Sequence, residues 1–125
     1  MKTAMNFLEA ANATVTRIPG AEAVAKHGTD AVFVDVRDSS DIAASGTIAG
    51  AVRVPRGFIE FAADATMEKF HNPAFQKDAE LYLVCGAGGQ AALAGKTLQE
   101  MGFTNVTNIG GISEWRDAGG PMEAG

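Results

Sequence analysis

Cysteine is almost missing from this sequence: Cys85 is the only one in 125 residues. It has no partner within the chain, so bridged secreted scaffolds are excluded, and a lone thiol of this kind is a reduced, buried or reactive group. Long apolar runs are missing too. No stretch approaches the roughly 18 apolar residues of a membrane span, and the chain reads as having no membrane contact. Positive charge is in short supply: ten Lys plus Arg stand against fifteen Asp plus Glu, a net charge of −5 with no basic run. Attraction to a phosphate backbone has little to act on, so no nucleic-acid partner is expected. Ala11-Asn12-Ala13 has the small-residue form of a signal-peptidase site. The stretch before it carries Asn6 and Glu9 and no unbroken apolar segment, so residues 1–13 read as an N-terminal helical extension and the expected compartment is the cytoplasm.

What is present is globular composition, 46 % apolar and 20 % charged, at a length that suits one domain over residues 1–125. Met5 and Leu8, with Ala4 and Ala11, recur at helical spacing and predict a helix that packs onto the domain. Val15 to Ile18 reads as a strand ending at Pro19-Gly20, and Ala21 to His27 as a short helix stopped by Gly28. Ala31 to Val34 is a continuous β-favouring apolar run, the pattern of a strand buried on both faces of a parallel sheet. A capped helix follows from Ser39 or Ser40 to Gly46. Ala51 to Val54 reads as a brief strand and Phe58 to Asp64 as a helix. Leu81 to Val84 is a second buried strand, followed at once by a glycine loop and a strong helix from Ala91 to Met101. Val106 to Ile109 and Ile112 to Asp117 add a last strand and helix; residues 67–78 carry little pattern. Such alternation predicts an α/β domain with a central parallel sheet of about five strands and helices on both faces.

The loop Cys85-Gly86-Ala87-Gly88-Gly89-Gln90 sits between a buried strand and a helix. A sulfur there lies in a bowl of backbone N–H groups over a helix N-terminus, where an anion is stabilised. The thiolate, the nucleophilic form, is favoured in such a nest. Glycines let the loop take positive φ and leave its amides uncovered. The alternative use of Cys85, as a small buried hydrophobe at a strand end, does not need them.

Several stretches together resemble the single-domain rhodaneses of the rhodanese-like sulfurtransferase superfamily: Val34-Asp35-Val36-Arg37 with Asp41, Gly46 to Ala51, Val54-Pro55-Arg56-Gly57, the Cys85 loop, and Gly110-Gly111-Ile112 with Trp115. The resemblance covers nearly the whole sequence and implies a rhodanese-like fold. It implies an enzyme, a sulfurtransferase, in which Cys85 takes a sulfane sulfur from a small-molecule donor, holds it as a persulfide and passes it to a thiol or cyanide. The persulfide is then expected on the amides of Gly86, Ala87, Gly88, Gly89 and Gln90. The six-residue loop favours sulfur over phosphate, because relatives acting on phosphate or arsenate carry a loop one residue longer. No cofactor is implied.

The sequence departs from the family pattern inside the loop. The sixth loop position, often Arg in related single-domain proteins, is Gln90, and the second, Arg or Lys in many thiosulfate-using members, is Gly86, so the loop has no positive side chain. Losing a charge-assisted contact of that kind costs about 1.5–3 kcal/mol, and thiosulfate is expected to be a poor donor. Mercaptopyruvate-using relatives have a neutral loop, Cys-Gly-Ser-Gly-Val-Thr, matched here at the cysteine and both glycines. Arg56 and Arg53, on the neighbouring loop, are the candidates to supply the charge, Arg56 foremost. Arg37 is expected to pair with Asp41 or a nearby carboxylate, Asp35 to be structural, and Phe58, Phe61 and Trp115 to pack in the core. Thr47 replaces the histidine of the family's Gly-His-Ile pattern. His27 and His71 have no second ligand at metal spacing, so no metal site is expected. The competing function is a rhodanese-like binding or regulatory module without turnover; a thiol redox sensor would need an external resolving thiol.

Overall fold

The computed structural model describes residues 1–125. The helices are α1 (Ala4–Thr14), α2 (Gly20–Val24), α3 (Ser39–Ser45), α4 (Ile59–Ala63), α5 (Gly89–Glu100) and α6 (Ile112–Asp117). The strands are β1 (Thr16–Arg17), β2 (Val32–Asp35), β3 (Thr47–Ile48), β4 (Val52–Arg53), β5 (Leu81–Cys85), β6 (Val106–Gly111) and β7 (Met122–Glu123), with a 3-10 turn at Arg56–Phe58. Five strands form a parallel sheet in the order β1-β6-β5-β2-β4, as the alternating pattern predicts.

The sequence of β5 explains its central position. All five residues are buried, and their alternation divides the interior. Leu81, Leu83 and Cys85 face one apolar cluster with Ala91, Ala94 and Leu98 of α5 and Ile59, Ala62 and Ala63 of α4. Tyr82 and Val84 face a second with Phe33, Ile109, Ile112 and the fully buried Trp115. A strand covered on both faces must be apolar at every position, unlike one with a wet side. Fully burying each such side chain contributes about 1.5–3 kcal/mol, so the sheet is held chiefly from its middle strands.

Several details differ from the sequence reading. The strand expected over Val15 to Ile18 contracts to Thr16–Arg17, because Val15 closes α1 through its N–H to Ala11 at 2.9 Å. Thr47–Ile48 and Met122–Glu123, too short to show periodicity, pair antiparallel as a separate ribbon. Met5 is exposed at 59 %, and α1 packs through Ala11 and the half-buried Leu8 instead. No helix is long and apolar enough to cross a membrane.

The end of β2 is braced by a buried ion pair. Asp35 is fully buried and accepts from Arg37 Nη2 at 2.8 Å, the Arg37 backbone N–H at 3.0 Å and Thr47 Oγ1 at 2.7 Å. Arg37 therefore pairs with Asp35, two residues back, and not with Asp41. Its remaining donors reach Ser45 Oγ and the Gly46 carbonyl, each at 2.8 Å. The hydroxyl of Thr47 completes this network.

Candidate active site at the Cys85 loop

Cys85 is the last residue of β5, and α5 begins at Gly89, so a tight loop must reverse the chain between them. Gly88 makes that turn with φ +104°, a backbone region L side chains rarely adopt. The turn brings the first N–H groups of α5, which have no partner within their own helix, over the sulfur. Gly88 N–H donates to Cys85 Sγ at 3.0 Å and Ala91 N–H at 3.4 Å. Ala91 was not among the loop residues singled out from the sequence; it is the third residue of α5, where an orphan donor belongs. The exposed Gly86 and Ala87 have backbone N–H groups with no acceptor within the protein. Gly89 is half-buried and Gln90 exposed at the rim. Cys85 itself is 1 % exposed, so the thiol lies on the floor of this bowl. An anionic sulfur, thiolate or persulfide, fits such a set of converging donors.

Two residues that sequence reasoning passed over hold the loop. Asn108 is 1 % exposed in the middle of β6; its Nδ2 donates to the Gly88 carbonyl at 2.9 Å and its Oδ1 accepts from Gly110 N–H at 2.8 Å. The signal was visible: an asparagine between Val106 and Ile109 in an interior strand needs buried partners. From outside, Arg17 Nη2 donates to the Ala87 carbonyl at 3.3 Å and pairs with Glu114 Oε1 at 3.1 Å. No spacing rule links residue 17 to residue 87, so this brace was not legible. Gly111 lies so close that an added Cβ would meet the Gly86 carbonyl oxygen at 2.3 Å, which restricts that position to glycine.

The arginines on the neighbouring loop separate. Arg53 turns away to Glu123 Oε2 at 2.9 Å and the Ala124 carbonyl at 2.8 Å. Arg56 lines a cleft beside Gly89 and Gln90, its guanidinium on Glu60 Oε1 and Thr97 Oγ1, each at 3.1 Å. Phe58 and Phe61, expected in the core, are 38 % and 43 % exposed. Their rings lie tilted to each other at 5.4 Å between centroids and meet Phe70 on the surface, because the short α4 buries Ile59, Ala62 and Ala63 on its inner side. His27 is held by its ring Nε2 on the Ala49 carbonyl at 2.8 Å, and no group of three or more His, Cys, Asp or Glu side chains converges.

Residues 17–118 match the family model of the rhodanese-like domain. A curated adenylyltransferase and sulfurtransferase of Meyerozyma guilliermondii is 32 % identical over 88 residues, 70 % of this chain but 20 % of that protein. The chain thus spans about a fifth of the length of that relative. A Rhodopseudomonas palustris protein of unknown function, described as a possible tyrosine phosphatase, superposes with TM-score 0.91 at 38 % identity, covering 98 % of this chain and 96 % of its own. A polysulfide-sulfur transferase homodimer from Wolinella succinogenes superposes with TM-score 0.69 at 27 % identity, covering 94 % and 85 %. A human single-domain sulfurtransferase does so with TM-score 0.65 at 26 % identity, covering 82 % and 95 %.

Proposed function

This chain belongs to the rhodanese-like domain family, and on that premise we propose that it is a sulfurtransferase or persulfide carrier acting through Cys85. The carrying observation is the buried Cys85 sulfur under the N–H groups of Gly88 and Ala91. In the forward step the Cys85 thiolate attacks the outer, sulfane sulfur of a small donor. A new S–S bond forms, the donor's bond to that sulfur breaks, and the leaving group departs with the electron pair. The persulfide keeps a single negative charge, one atom further out, towards the free amides of Gly86 and Ala87. A thiolate or cyanide then attacks that terminal sulfur and returns Cys85 as thiolate. The nucleophile needs no general base once it is ionised, so the absence of a histidine at Thr47 costs nothing.

The named activities of the Wolinella and human neighbours support sulfur chemistry, and so does the loop itself. The possible phosphatase activity of the Rhodopseudomonas protein is a weaker guide. A phosphoryl oxyanion trio needs a wide bowl and an arginine, whereas Cys85 to Gln90 is six residues with no cationic side chain. We take residues 1–125 as one rhodanese-like domain with residues 1–13 as a helical extension, working in the cytoplasm, where its lone thiol stays reduced.

The test is cyanolysis. Protein incubated with thiosulfate, mercaptopyruvate or polysulfide and then cyanide is expected to release thiocyanate, and Cys85→Ser none. Turnover by Cys85→Ser, or none by either protein with any donor, overturns the reading, the second result in favour of a binding module.

A further inference from the structure

Arg17 on β1 is the register partner of Asn108 on β6, so the two side chains start from neighbouring positions on the sheet. Both reach the cysteine loop, and each holds a loop carbonyl: Asn108 that of Gly88 at 2.9 Å, Arg17 that of Ala87 at 3.3 Å. Of the carbonyls from Cys85 to Gln90, only that of Ala87 accepts from a charged side chain. A trans peptide unit points its C=O and its N–H in opposite directions, and the unit that carries the Ala87 carbonyl also carries the Gly88 N–H. That N–H donates to Cys85 Sγ at 3.0 Å. Arg17 therefore pulls on one end of the peptide whose other end holds the sulfur, and hydrogen bonds linked in this way polarise one another.

The guanidinium lies against Gly88 and Gly110, where an added Cβ at either position would collide with it. Its Nη2 also pairs with Glu114 Oε1 of α6 at 3.1 Å, and both side chains are 44 % exposed. Glu114 is the only other charged residue of the hollow around Arg17, which is otherwise lined by Ile18, Pro19 and Gly20. The loop and the first turn of α5 carry no charged side chain. On the surrounding elements Arg37 is paired with Asp35, Arg56 with Glu60, Lys96 with Glu100 and Arg116 with Asp117, while Glu9 of α1 is exposed. We propose that Arg17 is the positioning residue of the sulfur centre: through the peptide unit joining Ala87 to Gly88 it aims and strengthens the N–H that holds the anionic sulfur, and Glu114 sets the strength of that pull. The proposal deepens the sulfur-transfer reading, on which its role in turnover rests. A loop that is neutral at Gly86 and Gln90 thus has a cation acting on it from behind, through the backbone and not through contact with a donor. Partial exposure of the Arg17–Glu114 pair lets solvent screen it, so the effect is a few-fold one.

The test follows alkylation of Cys85 by iodoacetamide as a function of pH, read by intact mass with Cys85→Ser as the blank. The reagent is uncharged and transfers no sulfur, so neither steering of an anionic donor nor the sulfur-transfer reaction enters the result. Arg17→Met is expected to move the profile to higher pH by about half a unit, which is about a threefold loss of rate on its acid limb. Glu114→Gln keeps a neutral acceptor for Arg17 and removes the opposing charge, and it is expected to move the profile by a similar amount towards lower pH. A brace that only stiffened the loop would give shifts of one sign, because each variant loosens it. Both side chains are partly exposed, so both variants are expected to fold, with urea denaturation as the control. Persulfide loading of the same proteins from polysulfide reads the reaction beneath, and Arg17→Met is expected to load about threefold more slowly on the acid limb. Anything other than opposite shifts in the two variants overturns the proposal and leaves sulfur transfer standing. Opposite shifts with no persulfide on any of the proteins support the hold of Arg17 on the sulfur and overturn sulfur transfer instead.

Discussion

Asn108→Ala tests how the loop is held. Wild-type Asn108 bridges the Gly88 carbonyl and the Gly110 N–H in a fully buried position. The two lost bonds are unequal. The Gly88 carbonyl keeps a second partner, Ala92 N–H at 3.0 Å, so it is not left bare. Gly110 N–H has no such substitute, and an unsatisfied buried donor costs about 1–3 kcal/mol. The small cavity left by the side chain adds about 1 kcal/mol. The expected destabilisation is therefore about 2–4 kcal/mol, a large part of a total that is typically about 5–15 kcal/mol. Urea denaturation reads it as a lowered midpoint at constant m-value. Function is expected to fall further than the unfolded fraction accounts for, because Gly88 is also the residue whose N–H contacts the sulfur at 3.0 Å. Asn108→Asp separates the two effects: it keeps the acceptor for Gly110 but sets an oxygen against the Gly88 carbonyl, so persulfide loading drops even among folded molecules. An alanine variant within about 0.5 kcal/mol of wild type and loading at the wild-type rate would refute the assignment of Asn108 as the loop's anchor.

Other perturbations have equally definite outcomes. Asp35→Ala leaves the Arg37 guanidinium, 5 % exposed, without its carboxylate and is expected to cost about 3–5 kcal/mol in urea denaturation, whereas Thr47→Val, which removes one hydroxyl bond, costs about 1 kcal/mol. Gln90→Arg places a guanidinium at the exposed rim of the loop and is expected to raise thiosulfate turnover about tenfold or more; no change would count against the account of weak thiosulfate use. Glu123 holds the β3–β7 ribbon through Gly50 N–H and then Arg53, and these contacts keep its carboxyl below the ordinary value of 4.5. A depressed carboxylate stabilises fully above that value and loses its effect as pH falls through the lower folded value. Amide exchange at Met122 and Glu123 is therefore expected to lose protection in acid before β5 does, and a Glu123→Gln protein to show no such step.

The two buried strands and the glycine loop were legible because each carries its own local signal. Continuous apolar residues from Leu81 to Val84 fit a central parallel strand, and glycines directly after a cysteine fit a backbone nest. The brace from Arg17 across to Ala87, by contrast, exists only once the sheet order sets β1 beside β6. Arg37 and Asp35 are legible as structural, and of the two partners left open for Arg37, Asp41 or a nearby carboxylate, the structure selects the nearby one, Asp35. A bulge-free strand end lets residues two apart share one side, and the buried Asp35 offered the nearer carboxylate. Phe58 and Phe61 share a face, as their spacing implies, yet periodicity does not say which face is inward. Ile59, Ala62 and Ala63 filled the available space.

Intact-mass spectrometry after brief exposure to thiosulfate, mercaptopyruvate, polysulfide and benzenethiosulfonate tests the central claim most directly. The account predicts a gain of one sulfur atom on wild type, removed by cyanide or a thiol and absent in Cys85→Ser. A gain that persists in Cys85→Ser, or no gain from any of the donors, would contradict it.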